Sequence, residues 1–379
     1  MIDFTHLQDF LTPVSKAQLN DDEVYDDLQI GRMIDLYEDD HIPDLDAADV
    51  VLLGANEARG NGMPNSKKST PDIIRRQFYK LYHWHRDVRL ADAGNLQTGR
   101  SVADSYAALK AVVTELIDGG KTVIILGGSH DLTYAQYQAY ATKKYIIEAT
   151  VADALIDLQE TSSLRSERFL LDMFMEQPNY LRHYNHIGFQ SYFVQPRMLE
   201  TLDKLRFDCY RLGKVRENIE EIEPVLRNTD LLSVDINMIK HTDAPASSLS
   251  PNGFSGEEAC ALSRYAGMSA QLSTYGIYGY NPEKDKDDLT AKQIAQMLWY
   301  FMDGRSVKNK EAQLTERESF LEFHIAFTDI DTVFLKSKKT GRWWMQLPDK
   351  EFVPCAYSDY LLASNNEIPE RWLRSQERL

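Results

Sequence analysis

Cysteine is scarce. The chain has three, Cys209, Cys260 and Cys355, far apart in 379 residues and without a C-x-x-C pair. That excludes a disulfide framework and reads as free thiols in a reducing compartment. No apolar run approaches the roughly 18 residues that a membrane span needs. The opening stretch, Met1-Ile-Asp-Phe-Thr-His-Leu-Gln-Asp9, carries acids where a secretory segment would be basic and then apolar. Cationic side chains are outnumbered, 42 Lys and Arg against 58 Asp and Glu, giving a formal net charge of −16. Such a surface repels phosphate and argues against nucleic acid as a partner. No internal repeat or low-complexity linker interrupts the chain. The expectation is a cytoplasmic globular protein with neither a membrane nor a nucleic-acid partner.

What is present is alternation of short β-rich runs with helical patterns, which predicts helices wound about a mainly parallel sheet. Val50-Val-Leu-Leu-Gly54 reads as a buried strand. Thr70-Pro71 opens a helix, with Thr70 as N-cap. Residues 101–119 form a second helix, with Val102, Tyr106, Leu109, Val113, Leu116 and Ile117 on one face. Strands follow at 122–126, at roughly 145–151 and at 230–235, and helices at 256–272 and 291–302. The first strand of that group runs into Gly127-Gly-Ser-His130, the second into Asp153-Ala-Leu-Ile-Asp157, and the third ends on Asp235-Ile-Asn237. In a parallel sheet such C-terminal strand ends lie side by side, and ligands bind there. His130, Asp153, Asp157 and Asp235 thus offer an imidazole and three carboxylates, a donor set suited to a divalent ion such as manganese.

In that order along the chain, these motifs resemble the ureohydrolases: arginase, agmatinase, formimidoylglutamase and relatives. Gly127-Gly-Ser-His130 matches the family's Gly-Gly-Asp-His turn, Asp153-Ala-Leu-Ile-Asp157 its Asp-Ala-His-x-Asp, and Ser233-Val-Asp-Ile-Asn237 its Ser-x-Asp-x-Asp. Gly253-Phe-Ser-Gly-Glu-Glu258 matches a late glycine-to-glutamate segment, and Asn281-Pro282 a further strand end. The resemblance spans roughly residues 48–303 and is strongest to the longer formimidoylglutamase-type proteins. It implies a three-layer α/β/α sandwich with a doubly wound sheet over residues 48–304, preceded by an extension at 1–47. A C-terminal extension at 305–379 is expected to pack on the core.

The resemblance also implies roles. His130, Asp153, Asp157 and Asp235 match every protein ligand of one metal position, and Asp157 also orients the water that the ion activates. Glu258 matches a glutamate that orients the substrate nitrogen, although Glu257 and Glu258 equally suit a helix start. The second metal position has lost two private ligands, because Leu155 stands for a histidine and Asn237 for an aspartate. At most one Mn²⁺ per chain is therefore expected. The implied function is hydrolysis of a linear amidine or guanidine C–N bond in a small molecule, formiminoglutamate or a guanidino compound, by a homo-oligomer. The alternative is a weakly active or inactive member of the fold that serves as a binding or scaffold protein.

Other residues invite plainer readings. His183 and His186, at i, i+3, suggest a helix or loop with a surface or packing role. His241 is expected to face away from the metal. Arg59, Lys67, Lys68 and Arg75 read as solvated, and Trp343-Trp344 as core or subunit packing.

Overall fold

The computed structural model describes residue 2, residues 4–328 and residues 330–377. Its strands are β1 (Leu11–Thr12), β2 (Asp35–Leu36), β3 (Val50–Gly54), β4 (Leu90–Leu96), β5 (Thr122–Leu126), β6 (Ile147–Ala152) and β7 (Leu181–Phe189). They continue as β8 (Asp208–Arg211), β9 (Leu231–Asp235), β10 (Thr274–Tyr278), β11 (Phe320–Phe327), β12 (Ile330–Ser337), β13 (Trp343–Gln346) and β14 (Phe352–Cys355). The first ten make one sheet, in the order β1-β4-β3-β5-β10-β9-β6-β7-β8, with β2 also on β4. Every pairing in it is parallel except β1 with β4.

Alternate residues of each central strand enter different cores, as a sheet covered on both faces requires. Val50, Leu52, Ile124 and Leu126 join the cluster under helices 70–78, 256–267 and 289–310. Val51, Leu53, Val123 and Ile125 join the one under helices 102–118, 132–143 and 169–175. The fold is the expected α/β/α sandwich. Helix Val102–Asp118 begins in a capping box between Ser101 and Asp104, which satisfies the first free amides.

Several boundaries differ from the sequence reading, each for a local reason. Ser69, with extended backbone, takes the N-cap position expected for Thr70. The helix expected to reach residue 272 stops at Gly267. Beyond it Ser269 Oγ accepts the amides of Gln271 and Leu272 and donates to the Arg227 carbonyl, which turns the chain. The helix expected to end at Met302 continues to Lys310, because its later turns are buried. The N-terminal extension is built into the sheet: β1 and β2 flank β4.

The C-terminal extension expected from residue 305 instead begins inside helix 289–310 and leads into an antiparallel sheet, β11-β12-β13-β14, with its own apolar cluster around Phe334, Trp343 and Met345. Two arginines fasten it to the larger unit. Arg227 donates to the Trp343 carbonyl at 2.7 Å with its guanidinium over the Trp344 ring, and Arg342 donates to the Met268 carbonyl at 2.9 Å.

Helices 256–267 and 289–310 touch backbone to backbone. A Cβ on Gly267 would lie 2.1 Å from the Phe301 carbonyl oxygen, and one on Gly304 2.1 Å from that of Arg264. Since backbone cannot swing aside as a side chain can, Gly304→Ala should lower stability by about 1–3 kcal/mol through overpacking. Urea unfolding of the two proteins checks this; equal midpoints would contradict the close crossing.

Candidate metal centre

The central strands β5, β10, β9 and β6 are consecutive neighbours, so their C-terminal ends bring His130, Asp235 and Asp153 to one place. The turn after β5 is tied to the adjoining strand ends. Gly127 N–H bonds the Ile277 carbonyl, the Gly128 carbonyl accepts Gly279 N–H, and Ser129 N–H bonds the Glu57 carbonyl. Gly279, with φ of +81°, leaves the space in which the Asp235 carboxylate sits; a Cβ there would approach it to 2.5 Å.

His130 Nδ1 lies 3.0 Å from Asp157 Oδ2, 3.2 Å from Asp153 Oδ2 and 3.8 Å from Asp235 Oδ2. All four residues are buried. Donor atoms of His130, Asp153 and Asp235 fall within 4.8 Å of one another, the one grouping among the described residues compact enough for an ion. Asp157 joins through His130. Three carboxylates, one imidazole and an apolar wall fit a hard or borderline divalent cation. Phe169 packs edge-on to His130 at 4.8 Å and Tyr278 lies at 6.0 Å.

Burial pushes the Asp153 and Asp157 carboxyls above the usual carboxylate range. It pushes Asp235 up to about 7. Burial opposes charge on His130 as well, but its bonds to Asp153 and Asp157 outweigh that and hold the imidazole well above its ordinary value. The far ring nitrogen, Nε2, meets Ser233 Oγ at 3.0 Å, and that hydroxyl meets Thr133 Oγ1 at 2.6 Å.

The positions expected to have lost ligands are near the cluster in the chain. Leu155 N–H bonds Asp153 Oδ1 at 3.3 Å, and Asn237 N–H bonds Asp235 Oδ1 at 2.8 Å. The Asn237 amide oxygen accepts a long hydrogen bond from Ser247 Oγ, 3.5 Å. Glu258, expected to orient substrate, has both oxygens engaged. One accepts Ser255 N–H at 2.6 Å in a capping box, and the other meets Arg216 Nε at 3.0 Å.

Three readings need correction. His183 and His186 are on strand β7, not a helix or loop, and both are buried. His186 reaches the centre, with Nε2 at 3.1 Å from the Asp153 backbone carbonyl. Arg75, expected in solvent, is fully buried and forks onto Asp92 at 2.7 and 2.8 Å, because the sheet edge closes over it. Arg59 pairs with Glu57 instead of standing in solvent, while Lys67 and Lys68 are exposed. His241 bonds the Ser247 carbonyl, and the Trp343–Trp344 pair is buried in packing.

A 690 Å³ cavity between β8 and the C-terminal segment, lined by His183, Asp208 and Arg371 among others, touches none of the four cluster residues. The chemistry-bearing groups converge at the strand ends instead. The model of the arginase family matches residues 48–303. The chain belongs to the arginase family.

Among curated relatives it is similar to the formimidoylglutamase of Vibrio parahaemolyticus, 24% identical over 299 residues that cover 70% of this chain and 86% of that protein. The formimidoylglutamase of Staphylococcus haemolyticus is also 24% identical, over 68% of this chain and 86% of its own. Among solved structures, Trypanosoma cruzi formiminoglutamase with Mn²⁺ superposes with a TM-score of 0.66 at 17% identity, covering 74% of this chain and 99% of that one. Bacillus subtilis formimidoylglutamase gives 0.65 at 18% identity, over 75% and 95%. Among the described residues no helix is long and apolar enough to cross a membrane.

The raised pKa of Asp235 has a measurable sign. Its carboxyl titrates at about 7 in the fold against an ordinary 3.8, so the folded chain holds this proton more tightly than the unfolded one. Ionising it therefore costs stability, a cost absent below about pH 4 and complete above about pH 7. Metal-free Asp235→Asn should gain stability relative to the parent as pH rises across that window. Parallel urea titrations at several pH values test it, and a constant gap or one that moves the other way contradicts it.

Proposed function

We propose that this chain is a metal-dependent hydrolase of a linear amidine or guanidine C–N bond in a small molecule, formiminoglutamate or a guanidino compound, with a single working metal position. The observation that carries the reading is the buried convergence of His130, Asp153, Asp157 and Asp235 at adjoining strand ends. These four would hold the ion. When bound, a divalent cation supplies Lewis-acid activation of water and neutralises charge that builds up in the transition state.

The chain's own residues set the geometry. Ser233 and Thr133 fix the imidazole of His130 from behind. Asp157 would accept a proton from an attacking water, and Phe169 and Tyr278 wall the donors on their apolar side. Glu258 meets a guanidinium nitrogen of Arg216 in the way it would meet an amidine or guanidine substrate, so it orients substrate by exchanging that partner. Membership of a family that includes formimidoylglutamases supports the substrate class.

A second reading follows from Leu155 and Asn237. Leucine offers no donor, and a neutral amide adds no charge, so the family's bridged pair of ions has no complete second seat. On that reading the protein keeps the fold as a binding or scaffold protein with weak or no turnover.

Elemental analysis after purification with manganese should give at most about one Mn²⁺ per chain, and His130→Ala should remove most of it. Two fully occupied ions, or metal retained in His130→Ala, would overturn the assignment. Release of formamide or urea by the loaded protein then separates the hydrolase from the scaffold reading, and urea from free arginine at ordinary arginase rates is not expected.

Restoring the missing donors tests the second position directly. Leu155→His with Asn237→Asp should raise manganese toward two per chain, whereas Asn237→Asp alone should do less, because it adds charge without the missing imidazole. A folded double variant with unchanged metal content would show that the two loops do not present those positions to a common point.

A further inference from the structure

Strand β7 carries a fully buried polar chain that no catalytic group accounts for. His186 sits beside Val151 of β6 in the parallel register, one strand over from the cluster, with no exposed surface. Its Nε2 is 3.1 Å from the backbone carbonyl of Asp153, and its Nδ1 is 2.8 Å from the hydroxyl of Tyr184, itself fully buried. A carbonyl can only accept, so Nε2 carries the ring proton, and Nδ1 accepts the Tyr184 hydroxyl proton.

The two hydrogen bonds fix the ring in one tautomer and one orientation. Adjacent strands reinforce the contact: Asp153 N–H bonds the Ile187 carbonyl at 3.1 Å. The residue that leaves β6 for the cluster is therefore gripped on both of its main-chain polar groups by β7. Its amide is held by ordinary sheet pairing, and its carbonyl by the His186 side chain.

A fully buried imidazole is costly unless its bonds repay the burial. An apolar residue would satisfy the packing here; what a histidine adds is its bonds to the Asp153 carbonyl and the Tyr184 hydroxyl. We propose that His186, oriented by Tyr184, is a positioning residue for Asp153, setting the direction from which that carboxylate enters the metal centre. The inference rests on the metal reading above and extends it to a residue outside the donor set.

Manganese titration of the full-length parent and three variants tests it, with fold checked by circular dichroism. His186→Leu keeps apolar bulk but removes the donor, and should weaken Mn²⁺ binding about 10- to 100-fold, as loss of an outer-sphere partner does. His186→Gln restores an N–H donor and should recover most of the loss. Tyr184→Phe should weaken binding by a smaller factor, since it frees only the tautomer.

Parent-like Mn²⁺ affinity in folded His186→Leu would overturn the positioning role and leave the metal reading intact. A parent that takes up no Mn²⁺ would overturn the metal reading itself, and this inference with it. Should His186→Leu fail to fold, parent-like affinity in folded Tyr184→Phe would overturn the proposal. A purely structural histidine would lower stability in all three variants without separating Gln from Leu in metal affinity.

Discussion

Three carboxylates and one imidazole share a dry space at the ends of neighbouring strands, and their mutual electrostatics constrain everything around them. Asp153, Asp157 and Asp235 are buried together, so each opposes ionisation of the others, and burial raises all three. His130 relieves part of that repulsion by facing all three with one nitrogen. A cation at the same point would relieve it more fully, since it brings two charges and needs no proton. The strand ends thus form a seat in which ionising the carboxylates is costly, a cost that a cation would offset.

Such a seat persists only if the backbone beneath it cannot spread. The parallel sheet provides that stiffness, because β5, β10, β9 and β6 are each paired on both sides. The crossing of helices at Gly267 and Gly304 locks one face of the sheet. Farther out, the Arg75–Asp92 pair, with the Tyr79 hydroxyl on the same carboxylate, closes the β3–β4 side. These elements bear no chemistry, yet they fix the distances on which the chemistry depends.

The C-terminal sheet stands apart from that logic. It has its own apolar cluster and meets the larger unit through charged and carbonyl contacts of Arg227, Arg342 and Arg371. Arginine suits such a junction, since one planar group can bind a carbonyl, pair with a carboxylate and lie on an aromatic ring at once. Arg227 does all three, with Trp343, Glu223 and Trp344.

Local signals in the sequence determined a good deal. The apolar runs of β3, β5 and β9, the Ser101 start of helix 102–118, and the polar residues placed just past strand ends all depend on neighbours within a few positions. That Leu155 offers no metal donor and Asn237 no charge is read directly from their identities. Tertiary structure alone decided the rest. The i, i+3 spacing of His183 and His186 suggested a helix or loop, but strand periodicity sends their rings to opposite faces, one to Asp208 and one to Asp153. Arg75 looked like a surface cation until Asp92, 17 residues on, supplied a buried partner. The pairing of β1 and β2 with β4 and the whole β11–β14 sheet arise from contacts between segments whose own patterns are weak. The physical reason is the same in each case: periodicity and capping are local free energies, whereas burial of a charge or an edge strand is stabilised by a partner that only the folded chain brings near.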